Sequence, residues 1–154
     1  MSRKRKKRKP GLPPGTLFYT GNVEVENPDV TVLQFNENSI TEQLLKNLDC
    51  PPPHEQFVTW YDVRGLNNIE LIERVGRAFH IHPLALEDVV NVDQRPKWED
   101  YQNSIFLIVK ALKYDDILRQ VTTEQVAFLL GDRFYIDVSG RCRRFIPRYS
   151  PSFA

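Results

Sequence analysis

The amino-acid sequence predicts an α/β protein in which a mixed sheet is sandwiched between helices. Two observations lead to this fold class. Segments rich in β-branched and aromatic residues alternate with segments whose apolar residues recur at helical spacing. The two longest apolar runs follow the helical segments and lie close together in the chain, as paired strands of a buried sheet do. A chain of 154 residues with 41% hydrophobic residues is long enough to form one domain with its own core.

The first third of the chain predicts one strand and one helix. Residues 31–35 (TVLQF) have the composition of a strand. Residues 38–48 (NSITEQLLKNL) predict a helix, because Ser39 and Glu42 have the spacing of a capping box. The prolines at 51–53 cannot continue that helix and would end it. Its inward stripe would consist of Ile40, Leu44, Leu45 and Leu48.

The middle of the chain predicts a second strand followed by two helices. Residues 57–63 (FVTWYDV) are mainly β-branched and aromatic, which favours a strand. Residues 67–79 predict a helix capped by Asn67 or Asn68. Pro83 suits the first turn of a third, short helix. The inward residues of the longer helix would be Ile69, Ile72, Val75 and Phe79.

The last strands are predicted from three further segments. The apolar runs at residues 104–114 and 124–131 would pair deep in the sheet, joined by the polar residues 115–123. Gly131 and the next residue mark a turn, after which residues 133–138 (RFYIDV) form another strand. The sheet would then be covered by helices on both faces.

The charge distribution divides the chain into three parts. Seven consecutive basic residues occupy positions 3–9, and four arginines follow Val138, which leaves 10 basic and 20 acidic residues between them. We therefore predict a basic flexible arm at 1–15, an α/β domain at 16–138 and an atypical, irregular tail at 139–154. An acidic domain attracts cations and repels nucleic acid, which argues against a nucleic-acid-binding protein.

Other classes of protein are disfavoured by what the sequence lacks. Cys50 and Cys142 form no CxxC motif or disulfide framework, which fits a reducing compartment. No apolar run approaches the ~18 residues of a membrane helix, and the basic start is not followed by the apolar stretch of a signal peptide. We therefore expect this chain to be soluble.

Two adjacent carboxylates, Glu87 and Asp88, lie in the short helix of the stretch IHPLALEDVVNVDQRPK. They either form the solvated face of an ordinary helix or bind a cation. Neighbouring side chains on a helix point about 100° apart, so these two cannot easily clamp one ion between them. Mg²⁺ requires an octahedral shell of oxygen ligands, so other carboxylates would have to complete the site.

Several segments together resemble the amino-terminal cytoplasmic domain of the CorA family of divalent-cation channels. The resemblance covers roughly residues 9–136, and HPLALEDVVN followed by QRPK is a long and specific motif. The matching segments are KPGLPPGTLFYTG, WYDVRGL, RVGRAFHIHPLALEDVVNVDQRPKWEDY and TEQVAFLLGDRF.

The resemblance implies a cytoplasmic regulatory domain of a homopentameric Mg²⁺/Co²⁺ channel at the cell inner membrane, without catalysis. It implies a CorA-like α/β/α domain followed by a long helix and two membrane helices. The family's pore signature Gly-Met-Asn cannot occur here, because Met1 is the only methionine, so we expect a truncated chain without a pore.

The resemblance also implies a role for the acidic pair. Glu87 and Asp88 would bind regulatory Mg²⁺ weakly at a subunit interface, with carboxylates of an adjacent identical subunit. Co²⁺ and Ni²⁺ are alternative ions. This hypothesis fails if Glu87 and Asp88 are permanently neutralised by lysines or arginines of their own fold.

Four other features have alternative interpretations. His80 and His82, together with Glu87, could suggest a hydrolytic zinc site, but the spacing is not HExxH. No third ligand is evident, because His54 is the only other histidine and follows a proline run, so loop or capping roles are favoured. Arg95 and Lys97 could bind an anion, but pairing with Asp93, Glu99 or Asp100 is favoured. The basic arm could bind nucleic acid in the alternative function, contact anionic lipid or be a solvated tail, and the resemblance favours the last two. The tryptophans Trp60 and Trp98 are expected in the core or an interface rather than as stacking platforms.

Overall fold

A seven-stranded mixed sheet forms the frame of the molecule. The structure, a computed structural model, describes residues 11–45 and 49–140. The strand order is β2-β1-β3-β7-β6-β5-β4, with β3 and β7 parallel and the other described pairs antiparallel. The elements are β1 (Asp29–Phe35), β2 (Ile40–Leu44), β3 (Val58–Arg64), α1 (Ile69–Ala78), α2 (Pro83–Val90), β4 (Lys97–Tyr101), β5 (Ser104–Asp115), β6 (Gln120–Gly131) and β7 (Phe134–Ser139).

One face of the sheet and the two helices enclose the core. Alternate residues of the central strands point to this face, as the period of two in a strand requires. The apolar stripes of α1 and α2 pack on them in a single cluster that includes Tyr61, Val63, Leu71, Ile72, Val75, Ala85, Val89, Phe106, Ile108, Leu129, Ile136 and Val138. The predicted α/β class with a mixed sheet is confirmed. Within the ranges 11–45 and 49–140, both helices lie on this one face, so no second helical layer is present there.

The two predicted helices around residue 80 are confirmed, and local signals explain both. Asn68 caps α1 through its side chain, which accepts a hydrogen bond from the Leu71 amide over 3.0 Å. Pro83 occupies the first turn of α2, where its missing N–H costs nothing.

The helix predicted at residues 38–48 is wrong, because residues 40–44 form strand β2. Ser39 does not cap a helix: its amide and hydroxyl both donate to the Asn36 side chain, which closes a tight turn after β1. The chain then pairs along β1 over five residues. Ile40 and Leu44, expected inward, are 41% and 59% exposed. Residues 46–48, including Leu48, lie outside the described residues.

The sequence analysis also missed strand β4 and misjudged the ends of the long hairpin. β4 (KWEDY) consists of three charged residues and two separate aromatic residues, so it contains no apolar run. β5 and β6 pair as predicted, but their ladder extends to Asp115 and Gln120, so only four residues form the turn. Ile108 and Val126 are the last residues of the hairpin that pair with β4 and β7, so its outer part has no neighbouring strand among the described residues.

Candidate metal centre

Helix α2 presents Glu87 and Asp88 outward because its other side is fully used in packing. Ala85, Leu86, Val89 and Val90 are buried against the sheet and α1. His82 supports the start of the helix, since its Nδ1 accepts a hydrogen bond from the Leu84 amide over 3.2 Å. The predicted capping role of His82 is therefore confirmed.

The carboxyl end of α2 is held by two polar residues that the sequence analysis did not single out. Nε2 of Gln125 on β6 donates to the carbonyl oxygens of Asp88, Val89 and Asn91 at 3.1, 3.3 and 3.1 Å. Nζ of Lys110 on β5 donates to the Gln125 Oε1 at 3.0 Å and to the carbonyl oxygen of residue 92 at 2.8 Å. Gln125 is buried, and these bonds provide donors for carbonyl groups that a helix end leaves unpaired. Lys110 and Gln125 are polar residues within the two long apolar runs of the sequence, and this pattern could have identified them as buried polar residues.

The two acidic residues face a shared pocket of about 400 Å³. Glu87 and Asp88 come from α2, and Glu99 and Tyr101 come from β4. The remaining wall is formed by Leu12, Pro14 and Leu84. Three carboxylates from two elements thus lie around one opening, although only two of them were expected from the sequence.

Glu87 anchors the segment that precedes β1. Its Oε2 accepts a hydrogen bond from the Gly15 amide over 2.5 Å, across 72 positions in the chain. Gly15 has a φ of +80°, and a Cβ there would lie 3.1 Å from the Cβ of Pro83. The segment around Gly15 therefore lies directly over the first turn of α2, and a residue other than glycine would be strained there.

Asp88 forms an ion pair with Lys97, the first residue of β4. Nζ of Lys97 lies 2.5 Å from Oδ2 of Asp88 and 2.7 Å from Oε1 of Glu99. Gln94 donates a further hydrogen bond to Asp88. Burial acts to lower the pKa of Lys97, but the bonds to the two carboxylates outweigh it and raise the pKa overall.

The pairing of Lys97 confirms one expectation and corrects another. The predicted partner Glu99 is confirmed, and Asp88 is an additional partner that lies nine positions away. Asp88 is therefore not the unpaired carboxylate that the metal hypothesis required, because a lysine of its own fold contacts it. The hypothesis consequently needs this ion pair to open when a cation binds.

Glu99 is held from both sides. The pKa of Glu99 is lowered mainly by the hydrogen bond from Lys97 and, to a smaller extent, by the Tyr101 hydroxyl, which donates to Glu99 Oε2 over 2.6 Å. Burial is the main cause that raises the pKa of Tyr101 to about 12, and the Glu99 carboxylate adds to the shift. The Tyr101 ring stacks on His82, with centroids 5.2 Å apart. Tyr101 therefore connects the start of α2 to the acidic residues of the pocket.

The chemistry of this donor set fits a hard divalent cation but not a complete site. Carboxylate oxygens are the ligands that Mg²⁺ prefers in proteins. Within the described part of the chain, no group of three or more His, Cys, Asp or Glu residues is arranged to hold a metal ion. Any ion bound here would keep waters or take ligands from another molecule.

The other histidines have local structural roles. His80 follows α1 with a φ of +52°, in the left-handed conformation that often ends a helix. His54 Nδ1 accepts from the Gln56 amide over 3.1 Å. The loop interpretation of these residues is favoured over a zinc site by the same finding that no metal-binding group exists in residues 11–45 and 49–140.

The two tryptophans differ. Trp60 is buried and its ring stacks on that of Tyr135, with centroids 5.1 Å apart, as expected of a core residue, whereas Trp98 is 68% exposed.

Two further residues from the sequence analysis are located by the structure. Arg95 is exposed. Cys50 is a free cysteine whose pKa burial raises to about 11.

Several predictions concern parts of the chain that the structure does not describe. The basic run at positions 3–9, Cys142 and the tail from residue 141 lie outside the described residues. Lipid contact by the arm and the irregular tail therefore stay predictions. Neither α1 nor α2 has the length and hydropathy needed to cross a bilayer, and the described residues contain no other helix.

Comparison with known proteins agrees with the family resemblance. The model of the family described as CorA-like Mg²⁺ transporter protein matches residues 55–142. The chain is 40% identical over 136 residues to the cobalt/magnesium transport protein CorA of Thermotoga maritima, which covers 84% of this chain and 37% of that protein. It is 32% identical over 96 residues to the putative metal ion transporter YfjQ of Bacillus subtilis, covering 61% of this chain and 28% of that protein.

Solved structures show the same fold. The soluble domain of CorA from Methanocaldococcus jannaschii superposes with a TM-score of 0.53 at 15% identity, over 76% of this chain and 42% of that one. The full-length CmaX protein gives a TM-score of 0.60 at 10% identity, over 79% of this chain and 37% of that one. The chain therefore spans well under half the length of these relatives. Because the family model matches more than half of the sequence, the chain belongs to the family of CorA-like Mg²⁺ transporter proteins.

Proposed function

We propose that this chain is the cytoplasmic, Mg²⁺-sensing regulatory domain of a CorA-type channel that carries Mg²⁺ and Co²⁺ across the cell inner membrane, and that it performs no catalysis. The observation that carries the proposal is the pocket that Glu87 and Asp88 of α2 and Glu99 of β4 line together. The family's relatives are named as metal-ion transporters. A pocket lined by carboxylates is the feature of this domain best suited to respond to such an ion.

The ligand set of one chain is incomplete, so we infer that a second, identical subunit completes it. Glu87 and Asp88 are the proposed ligands, and Glu99 adds a third negative charge at the same opening. A bound divalent cation supplies the positive charge that lets two acidic surfaces approach each other. Mg²⁺ is the proposed regulatory ion, and Co²⁺ or Ni²⁺ could take the same oxygen ligands.

The regulatory effect follows from charge. When the cation concentration is high, acidic surfaces of adjacent subunits are neutralised and the closed arrangement of the proposed pentamer is stabilised. When it falls, the carboxylates repel and the subunits shift. The size of the effect equals the difference in cation affinity between the two arrangements, so a weak site suits the sensing of an abundant ion.

A titration of the isotope-labelled chain with MgCl₂, followed by NMR, tests the proposal. We expect amide shifts concentrated at residues 84–101, with a midpoint in the millimolar range, because an incomplete and hydrated site binds weakly. Asp88→Asn and Glu87→Gln should each weaken these shifts. Light scattering in the same samples would detect any cation-dependent association.

The matched control is Asp100→Asn, which removes the same charge from an exposed position of β4 that does not line the pocket. This variant should respond like the unmodified chain. Shifts that persist when Glu87 and Asp88 are both neutralised would contradict the proposed site. Tight binding to the isolated chain would contradict the role of a second subunit.

A further inference from the structure

We propose that Lys97 is a built-in competitor for the divalent cation, so that a cation reaches Asp88 only by exchange with the Lys97 ammonium group. The inference rests on the proposed function. It adds a residue that sets the cation concentration at which the site responds.

The geometry places the ammonium group between two carboxylates. Nζ of Lys97 lies 2.5 Å from Asp88 Oδ2 and 2.7 Å from Glu99 Oε1. The same nitrogen lies 5.9 Å from the ring centroid of Phe106, which contributes a cation–π contact. An ion shared by Asp88 and Glu99 would have to take the place that this nitrogen occupies.

The burial of the pair makes this competition effective. The side chains of Lys97 and Asp88 are 29% and 16% exposed, so water and salt screen the pair less than they screen a surface ion pair. Hydrogen bonds between charged groups are stronger than those between neutral groups. The fraction of molecules in which Asp88 is available is therefore small, and the apparent cation affinity falls in proportion to that fraction.

The position of Lys97 also allows its ammonium group to move away from the two carboxylates. It is the first residue of β4, which lies at the edge of the sheet, and it follows Pro96. Its flexible four-carbon stem carries a compact charge that water solvates well. The displaced ammonium can therefore move into solvent without disturbing the ladder between β4 and β5.

A purely structural role for Lys97 is the rival explanation, and it makes a different prediction. If Lys97 only ties β4 to α2, its removal should lower stability equally with and without divalent cations. Under the exchange proposal, removal leaves two carboxylates facing each other, and a divalent cation restores the lost attraction.

The experiment compares Lys97→Met with Arg95→Met in the complete chain. Both remove one positive charge, but Arg95 is exposed and two positions away. We expect the MgCl₂ midpoint, measured from the amide shifts of residues 84–101, to fall about tenfold in Lys97→Met. It should change less than about twofold in Arg95→Met, whose charge is screened by solvent. Lys97→Gln is a second variant in case Lys97→Met does not fold.

Thermal unfolding gives a readout that does not depend on the shift titration. In EDTA, Lys97→Met should melt below the unmodified chain, and saturating MgCl₂ should raise its melting temperature by more than it raises that of the unmodified chain. An equal increase in both proteins would overturn the inference.

The outcomes separate this inference from the proposed function. An unchanged or higher MgCl₂ midpoint in both Lys97 variants, together with binding that Asp88→Asn weakens, would overturn the exchange mechanism and leave the sensing site intact. An absence of Asp88-dependent binding in the unmodified chain and in both Lys97 variants would overturn the proposed function, and the inference with it.

Discussion

Nε1 of Trp60 donates a hydrogen bond to Oδ1 of Asp137 over 2.5 Å, on the face of the sheet opposite the described helices. Trp60 lies on β3 and Asp137 on the parallel neighbour β7. Asp62 and Arg64 point to the same face from β3, and Arg64 Nη2 lies 2.7 Å from Asp62 Oδ2. This face therefore carries a buried cluster of charged and aromatic residues, which includes Tyr135 stacked on Trp60.

The stability of the chain should fall as the pH rises towards neutrality. Burial and then the Asp62 carboxylate raise the pKa of Asp137 to about 7 from its ordinary value of 3.8, although Trp60 and Arg64 oppose the shift. Between pH 3.8 and about 7 the folded chain keeps a proton on Asp137 that the unfolded chain releases. The stability that this proton provides is therefore fully present below pH 3.8 and is lost as the pH rises through about 7. Urea unfolding at several pH values would measure the slope.

The control for this prediction is Asp137→Asn, whose side-chain oxygen can still accept the bond from Trp60. This variant should lose the part of the slope that Asp137 contributes. Identical slopes in the two proteins would show that Asp137 does not titrate in this range.

Gly65→Ala should destabilise the fold by about 1–3 kcal/mol. Gly65 has a φ of +122°, and a Cβ there would lie 2.7 Å from the Cβ of Pro28 and 3.3 Å from its Cα. The proline ring cannot rotate away, so the backbone would have to move. Gly140→Ala is the matched control, because its Cβ would meet atoms at ordinary contact distances and its stability should change by less than about 0.5 kcal/mol. Equal effects of the two changes on urea unfolding would contradict the prediction.

Gln125→Leu should lower the free energy of unfolding by about 2–3 kcal/mol. The change removes the donor shared by three carbonyl oxygens at the end of α2 and the acceptor used by Lys110. Gln120→Leu makes the same substitution at an exposed position of the same strand and should be nearly neutral. Chemical denaturation of both variants tests this, and a Gln125 variant as stable as the Gln120 variant would exclude the proposed support of α2.

Glu87→Ala should release the segment around Gly15. The hydrogen bond from the Gly15 amide to Glu87 Oε2 crosses from this segment to α2. A charge-assisted bond of this kind protects the amide, so its hydrogen exchange should become about tenfold faster when the carboxylate is removed. Exchange measured by NMR would show this. Asp88→Ala, which changes the adjacent residue, should leave Gly15 protected, and equal acceleration in both variants would count against a specific bond.

Features with a local cause were predictable from the sequence. The apolar periods, the cap Asn68 and the first-turn proline Pro83 are sufficient to place α1 and α2, because a helix satisfies its hydrogen bonds within one segment. The apolar runs of β5 and β6 and the turn at Gly131 are similarly local. The acidic pair at 87–88 was identified through the family motif, whereas composition alone could not distinguish it from a solvated face.

Features that depend on pairing with a distant segment were not predictable. Residues 40–44 have the spacing of a helix, but the Asn36 turn offers them the exposed edge of β1, and the ladder formed there overrides their local preference. β4 is a strand because β5 lies beside it, since its own sequence has no apolar run.

The sequence by itself determined which segments are apolar, where two helices begin and which acids the motif contains. Only the tertiary structure decided that Lys97 lies between Asp88 and Glu99 and that Gln125 holds α2 from 37 positions away. The physical reason is that charge attraction and hydrogen bonding act over a few ångströms of space, whichever residues the fold brings there.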